Sequence, residues 1–297
     1  MQPTVDGRKM ENKKTSMHIC AFLTVVLWAL GYVMTRIAVQ YFTTEALSFL
    51  RYFIAAVSLS VYAALNKKMR FPKLKELPLF FLGGAIGFSA YVYFLNEGSK
   101  TLTASMVSFI ISVAPILTAL LSRILLKEKI GLIGWVSVIC AFSGVGIITY
   151  YNGGFNFTSG VIWICLSVIL ISVYNIYQRK LLLRYSPLEI TTYCIIAGAI
   201  MLSVFAPQSF PQLIKAEPIG IIAIITLGVF SASIAYLLWA YALSKADKTS
   251  EVTNYMFVTP LLTTLLGFIL INESPHFTVY IGGVLVLTGV LLIKVKR

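Results

Sequence analysis

Two prolines set inside apolar runs, Pro115 and Pro260, point most directly to function. Each removes one intrahelical hydrogen bond and frees the carbonyl four residues earlier, at Ile111 and Met256. A carbonyl freed in hydrocarbon needs a partner, so both breaks are expected to face the protein interior or a wet cavity. The alternative is a packed kink that touches no ligand. Ser105, Ser108, Ser112, Thr118 and Ser122 recur with Pro115 at steps of three and four, which places them on one helix face. Thr253, Thr263 and Gly267 hold the equivalent places around Pro260. Such stripes either line a polar path or let helices pack closely.

Aromatic and amide side chains form the second group. Trp28 and Tyr32 lie in the first apolar run, Tyr91 in the third and Tyr174 with Asn175 in the sixth. Tyr236 and Trp239 lie in the eighth, Asn254 and Tyr255 in the ninth. A buried phenol, indole or amide needs a hydrogen-bond partner, which substrate or water supplies. The alternative is an aromatic belt at the lipid surface, the reading that suits Tyr150, Tyr151 and Trp163 near segment ends. The expected substrate-binding set is therefore Trp28, Tyr32, Tyr91, Ser108, Ser112, Tyr174, Asn175, Tyr236, Trp239, Asn254 and Tyr255, with Pro115 and Pro260 as gating breaks. Together they should line one central cavity between runs 1, 3, 4, 6, 8 and 9, leaving runs 5 and 10 at the periphery.

Other chemistries find little material. The two histidines, His18 and His276, form no HExxH, and Cys20, Cys140, Cys165 and Cys194 sit singly in apolar runs as packing residues. No metal, no cofactor and no catalytic residue are expected, and the protein is not an enzyme. GxxxxGK[ST] is absent, so this chain does not carry an ATP-driven pump motif. Arg51 is a charge inside an apolar run and is expected to snorkel outward or to pair with Glu45 or Glu97. Glu97, Glu128 and Glu273 stand at run ends, and no run has a central acid that would carry a proton.

The elements that must position these residues follow from composition. Of 297 residues, 58% are hydrophobic and 12% charged, with a mean hydropathy of +0.86. Soluble domains carry about 25% charged residues, so most of this surface cannot face water. Ten apolar segments span roughly 17–38, 46–65, 77–96, 103–126, 131–150, 158–179, 187–206, 218–243, 250–272 and 277–293. Their length and lack of alternation make them helices. The expected fold is an all-α integral membrane protein of ten transmembrane helices. The basic run before Met17 precedes an uncleaved first span, since the apolar stretch is too long for a signal peptide.

The net charge of +13 looks like a nucleic-acid footprint until the positions are counted. Twenty Lys and Arg fall on one side of the spans and three, Arg36, Lys100 and Lys215, on the other. Such asymmetry orients a membrane protein and predicts both termini in the cytoplasm, a multi-pass location in the plasma membrane, and no nucleic-acid partner. The lipid bilayer and a small-molecule substrate are the expected partners; a monomer is compatible with the chain, whose oligomeric state stays open.

The chain repeats itself at an offset of 145. Between residues 82–148 and 227–293 there are 20 identities in 67 positions, without a gap. Ala90-Tyr91 meets Ala235-Tyr236, Pro115 meets Pro260, Glu128 meets Glu273 and Gly144-Val145 meets Gly289-Val290. Earlier residues fit with a slip of two, which sets Arg36 against Arg179. Five spans per copy is an odd number, so the second copy is inverted in the membrane. The division is a cytoplasmic tail over 1–16, a first five-helix repeat over 17–150 and a second, inverted, over 158–293. Inverted halves underlie alternating access.

These motifs resemble the ten-span EamA branch of the drug/metabolite transporter superfamily. The likeness rests on Trp28-Ala29-Leu30-Gly31-Tyr32 with Arg36, Leu50-Arg51-Tyr52, Ala114-Pro115-Ile116-Leu117 before Lys127-Glu128, Ala235-Tyr236 with Trp239, Thr259-Pro260-Leu261 ending at Glu273, and Gly282-Gly283 with Gly289-Val290. It covers nearly the whole chain. It implies a ten-helix basket with both ends inside, and secondary transport of small metabolites, often export of amino acids. A channel-like facilitator or a membrane protein without transport function is the alternative, although no filter-like pore loop is visible.

Overall fold

The computed structural model describes residues 5–66, 69–126, 132–151, 159–246, 252 and 254–294. Among the described residues all regular structure is helical, and no strand occurs. Lys127, Glu128, the turn at 152–154, Lys248 and Thr253 lie outside the described residues, as does the side chain of Asn254.

Helix α1 runs from Val5 to Ala38, so helical backbone continues through the basic tail ahead of the first apolar run. Helix α2 follows at Thr44–Asn66. The third run is built in pieces: α3 at Leu77–Gly84, a π-helical segment at Ala85–Ala90, and α4 at Tyr91–Ser99. The fourth is split into α5, Ala104–Ile111, and α6, Ala114–Leu126. Thr103 starts α5, its side chain accepting from Met106 N at 3.2 Å. Helices α7, Leu132–Tyr151, and α8, Ser159–Leu181, follow.

In the second half, α9 covers Pro187–Leu202 and opens with a capping box between Ser186 and Glu189. Helix α10, Ala206–Lys215, continues it after a 3₁₀ turn at Ser203–Phe205. Helix α11, Pro218–Ile225, leads into a second π segment at Thr226–Ile234 and then α12, Ala235–Lys245. A 3₁₀ turn at Asn254–Phe257 precedes α13, Val258–Ile271, and α14, Phe277–Lys294, closes the chain.

Among the described residues, six helical stretches are long and apolar enough to cross a membrane, and Ala104–Thr118, Val258–Ile271 and Phe277–Gly289 are shorter apolar helices. In the most apolar part of Thr44–Leu65 or of Pro187–Lys215 about half of the residues are buried, 56% in each. The other face carries exposed apolar side chains such as Phe53, Val57 and Ile200, suited to lipid.

One expectation is corrected. The stretch between the apolar runs 187–206 and 218–243 is not a bare connection, since Ser209, Phe210 and Pro211 lie within α10. This helix is amphipathic, and Phe210 docks edge-on against Phe49 and Phe53 of α2 at 5.8 Å each. Gln212 Oε1 also accepts from Thr43 N at 2.9 Å, tying α10 to the start of α2. These contacts hold the segment helical although Pro211 removes one backbone bond.

Helices α7 and α14 pack along each other. Among the described residues, neither contributes to the central cavity described next.

Candidate functional site

The π segments explain how the cavity walls are aimed. A π turn accommodates one residue more than an α turn and shifts the following side chains around the axis. The first ends immediately before Tyr91 and the second immediately before Ala235-Tyr236. Residues 85–90 and 226–234 overlap at the same 145-residue offset that relates the two halves of the sequence. Glycine makes each close approach possible. A Cβ on Gly87 would stand 2.4 Å from the Tyr174 ring, and one on Gly228 would stand 2.6 Å from Ile54 and 3.1 Å from the Arg51 carbonyl.

The resulting cavity contains about 570 Å³ of atom-free space, its mouth and adjoining solvent included. Helix α1 contributes Trp28, Gly31, Tyr32 and Thr35; α8 contributes Ile171, Tyr174, Asn175 and Gln178; α12 contributes Tyr236 and Trp239. Tyr91 and Leu95 come from α4, Ile111 from the end of α5, Met256 from the 3₁₀ turn, and Arg51 from α2. Trp28 packs against Tyr236 at 5.4 Å and Trp239 at 4.9 Å between ring centroids. Phe88 bridges Tyr52, Tyr174 and Tyr236 behind them, at 5.4, 5.1 and 5.1 Å.

Seven of the eleven side chains anticipated from sequence meet around this space: Trp28, Tyr32, Tyr91, Tyr174, Asn175, Tyr236 and Trp239. Ser108 and Ser112 do not. Both are buried, and their hydroxyls turn back to the carbonyls of Ser105 at 2.8 Å and Phe109 at 2.6 Å. Tyr255 also points elsewhere, its hydroxyl 3.0 Å from His18 Nδ1 at an exposed position. Pro115 is the second residue of α6, directly after the break at Ser112-Val113, and Pro260 is the third residue of α13, after the 3₁₀ turn. Proline suits the first turn of a helix, where its missing donor costs nothing.

Arg51 departs most from expectation. It neither reaches water nor pairs with Glu45 or Glu97: it is 4% exposed. Glu45 accepts from Tyr93 at 3.4 Å, and Glu97 pairs with Lys100. Arg51 instead lies in the cavity wall, its guanidinium 5.9 Å from the Tyr52 ring centre and within electrostatic reach of Tyr32, Tyr91 and Tyr236. Gln178 was likewise not anticipated; it is 1% exposed and one turn beyond Tyr174 and Asn175.

One end of the bundle is fastened by a polar cluster. Arg36 Nη1 donates to the carbonyls of Ser99 at 3.0 Å and Lys100 at 2.8 Å, while Nε stands 3.4 Å from Glu273 Oε1. Glu273 Oε2 accepts from Ala104 N at 2.9 Å, capping α5. Asn272 takes a left-handed conformation, φ 50°, which ends α13 and turns Glu273 back over the helix ends. The opposite end has its own cluster: Arg70 Nε meets Glu189 Oε1 at 3.1 Å and stacks over Tyr185 at 5.0 Å. Among the described residues, no three His, Cys, Asp or Glu side chains are grouped as metal ligands.

The model of the EamA-like transporter family matches this chain twice, over residues 15–150 and 158–295. The Bacillus subtilis transporter YdfC is 32% identical over 288 residues, covering 97% of this chain and 94% of its own. A transporter of Archaeoglobus fulgidus is 32% identical over 276 residues, covering 93% and 97%. A probable terminal-alkyne amino-acid exporter of Streptantibioticus cattleyicolor is 29% identical over 273 residues, covering 92% and 91%. A solved crystal structure, 17% identical, superposes with a TM-score of 0.67 over 96% of this chain and 100% of that one, a likeness of fold.

Proposed function

The chain belongs to the EamA-like transporter family, and from that premise we propose that it moves a small metabolite, such as an amino acid or a related compound, across the plasma membrane by alternating access. It is a multi-pass membrane transporter and not an enzyme. The proposal adds ten spans in two inverted five-helix repeats, over 17–150 and 158–293, with both termini in the cytoplasm. The substrate cavity is the aromatic one between α1, α4, α8 and α12.

The observation that carries this reading is the pairing of helix irregularities. Each half brings one π segment and one proline-marked interruption to the region of a single cavity. Interruptions at corresponding places in two halves are the sequence pointer to a carrier site. The double match of the family model agrees with a repeat of this size. The amino-acid class draws on a relative named for such a substrate.

The Arg36–Glu273 cluster is the closed gate at the outer end. Its counterparts by repeat register are Arg179 and Glu128 at the other end. In the alternate state the outer pair opens and the inner pair forms, so one kind of contact is exchanged for another of similar strength. That is what a carrier needs, since its two states must differ by only a few kcal/mol.

Counterflow in liposomes holding the purified protein tests the proposal. A carrier gives saturable uptake of labelled substrate driven by unlabelled substrate inside. Conductance without exchange, or no uptake of any metabolite that stabilises the protein, would overturn it.

A further inference from the structure

The aromatic cavity contains a set of polar atoms that the protein itself leaves without hydrogen bonds. Trp28 Nε1, Arg51 Nε and Nη1, Tyr174 Oη and Gln178 Nε2 are all buried, and none has a partner among the described residues. All four side chains line the one cavity. Indole, guanidinium and the amide nitrogen are donors only, and the phenol is able to donate. Aspartate and glutamate are missing from the lining residues. A buried cation without a counter-charge is among the most expensive arrangements in a membrane protein. Arginine does not relieve that cost by shedding its proton.

We infer that the substrate is an organic carboxylate whose anionic end is held by Arg51, with Gln178, Tyr174 and Trp28 as further donors. This rests on the proposed transport site and names the substrate class for it. A carboxylate offers a guanidinium two acceptor oxygens in matching geometry. The part of the wall formed by Trp28, Tyr236 and Trp239 accepts an apolar or aromatic body. An α-amino group, where the substrate has one, sits over those ring faces as a cation. The same arrangement makes the empty carrier the strained state, because only the loaded cavity neutralises Arg51.

The test uses the full chain, purified, with thermal shift and tryptophan fluorescence as readouts. The probes are phenylalanine, 3-phenylpropanoate and phenylalaninamide, with leucine, 4-methylpentanoate and leucinamide as a second set. The acids should stabilise the protein and the amides should not. Arg51→Gln should weaken acid binding at least tenfold, Arg51→Lys less, and Gln178→Leu by a smaller factor. The unliganded Arg51→Gln protein should melt no lower than wild type, since a structural arginine would lower it. Should Arg51→Gln not fold, the Gln178→Leu affinity decides. Amides binding as well as acids, or no compound binding, overturns the carboxylate assignment and leaves the counterflow result standing. Acids binding wild type, Arg51→Gln, Trp28→Phe and Asn175→Ala equally would instead show that the cavity is not the site.

Discussion

Arg36 Nε stands 3.4 Å from Glu273 Oε1, joining the end of α1 to the turn that follows α13. The pair is partly exposed, at 28% and 13%, and an exposed ion pair by itself contributes about 0–1 kcal/mol. Its effect comes from what is attached. Arg36 also holds the last carbonyls of α4, and Glu273 holds the first amide of α5, so four chain segments close together.

Glu273→Gln should therefore shift the carrier toward the state open at this end. A loss of about 1.4 kcal/mol changes the ratio of states tenfold. Maleimide labelling of a cysteine at Thr35, in the cavity wall, should speed up several-fold from the outer side. Arg36→Gln should act in the same direction, and the double variant should add little to either. Unchanged labelling in all three would remove the gate.

Pro115→Ala and Pro260→Ala should bias the protein in opposite directions. Each restores a donor at a break in α6 or α13 and stiffens the join. A single cysteine at Ile111, the cavity-lining residue just before the first break, reports the change as labelling from either side of sealed vesicles. Identical labelling of wild type and both variants would identify the prolines as packing features.

Tyr236→Ala and Trp239→Ala should each lower counterflow about tenfold without reducing the amount of protein inserted. Trp28 loses its edge contact at 5.4 Å in one and its tilted contact at 4.9 Å in the other. Aromatic pairs contribute about 0.5–1.5 kcal/mol beyond the area they bury. Immunoblots of membrane fractions give the denominator, and normal flux in both variants would move the site elsewhere.

Two glycine substitutions should separate packing from propensity. Gly87→Ala sets a methyl 2.4 Å from the Tyr174 ring and should destabilise by about 1–3 kcal/mol. Gly146→Ala meets nothing within 4 Å and should be neutral or stabilising by up to about 1 kcal/mol through helix propensity. Melting of the two purified variants decides the comparison.

The apolar runs, the repeat and the family resemblance were legible because each rests on side-chain type. Trp28, Tyr91, Tyr174 and Tyr236 were found because bulky polar aromatics inside apolar runs are conspicuous. The π segments were not, since an i→i+5 hydrogen bond has no residue signature. Arg51 was misjudged for a different reason: position in a run predicts depth but says nothing of whether the side chain faces lipid or interior. Helix α10 falls between two apolar runs where Ser, Phe and Pro together look like a turn, whereas Phe210 is fixed by Phe49 and Phe53 from a distant helix. Ser108 and Ser112 satisfied the spacing of a polar stripe, but a short hydroxyl beside its own backbone bonds locally.

The π segments at 85–90 and 226–234 also act as stored register slips. A helix containing one surplus residue has two phases: side chains before the bulge follow one face and those after it follow another, about 100° away. Deleting a single residue inside either segment, for example Ala85, would let the turn relax to an α-helix. Tyr91 and Leu95 would keep the face they occupy, because the π turn had already absorbed the surplus residue, whereas straightening the turn with that residue still present would swing them about 100° out of the cavity wall. The cavity-facing side of each half thus depends on a residue count, and the π turn is the device that keeps that count compatible with the wall.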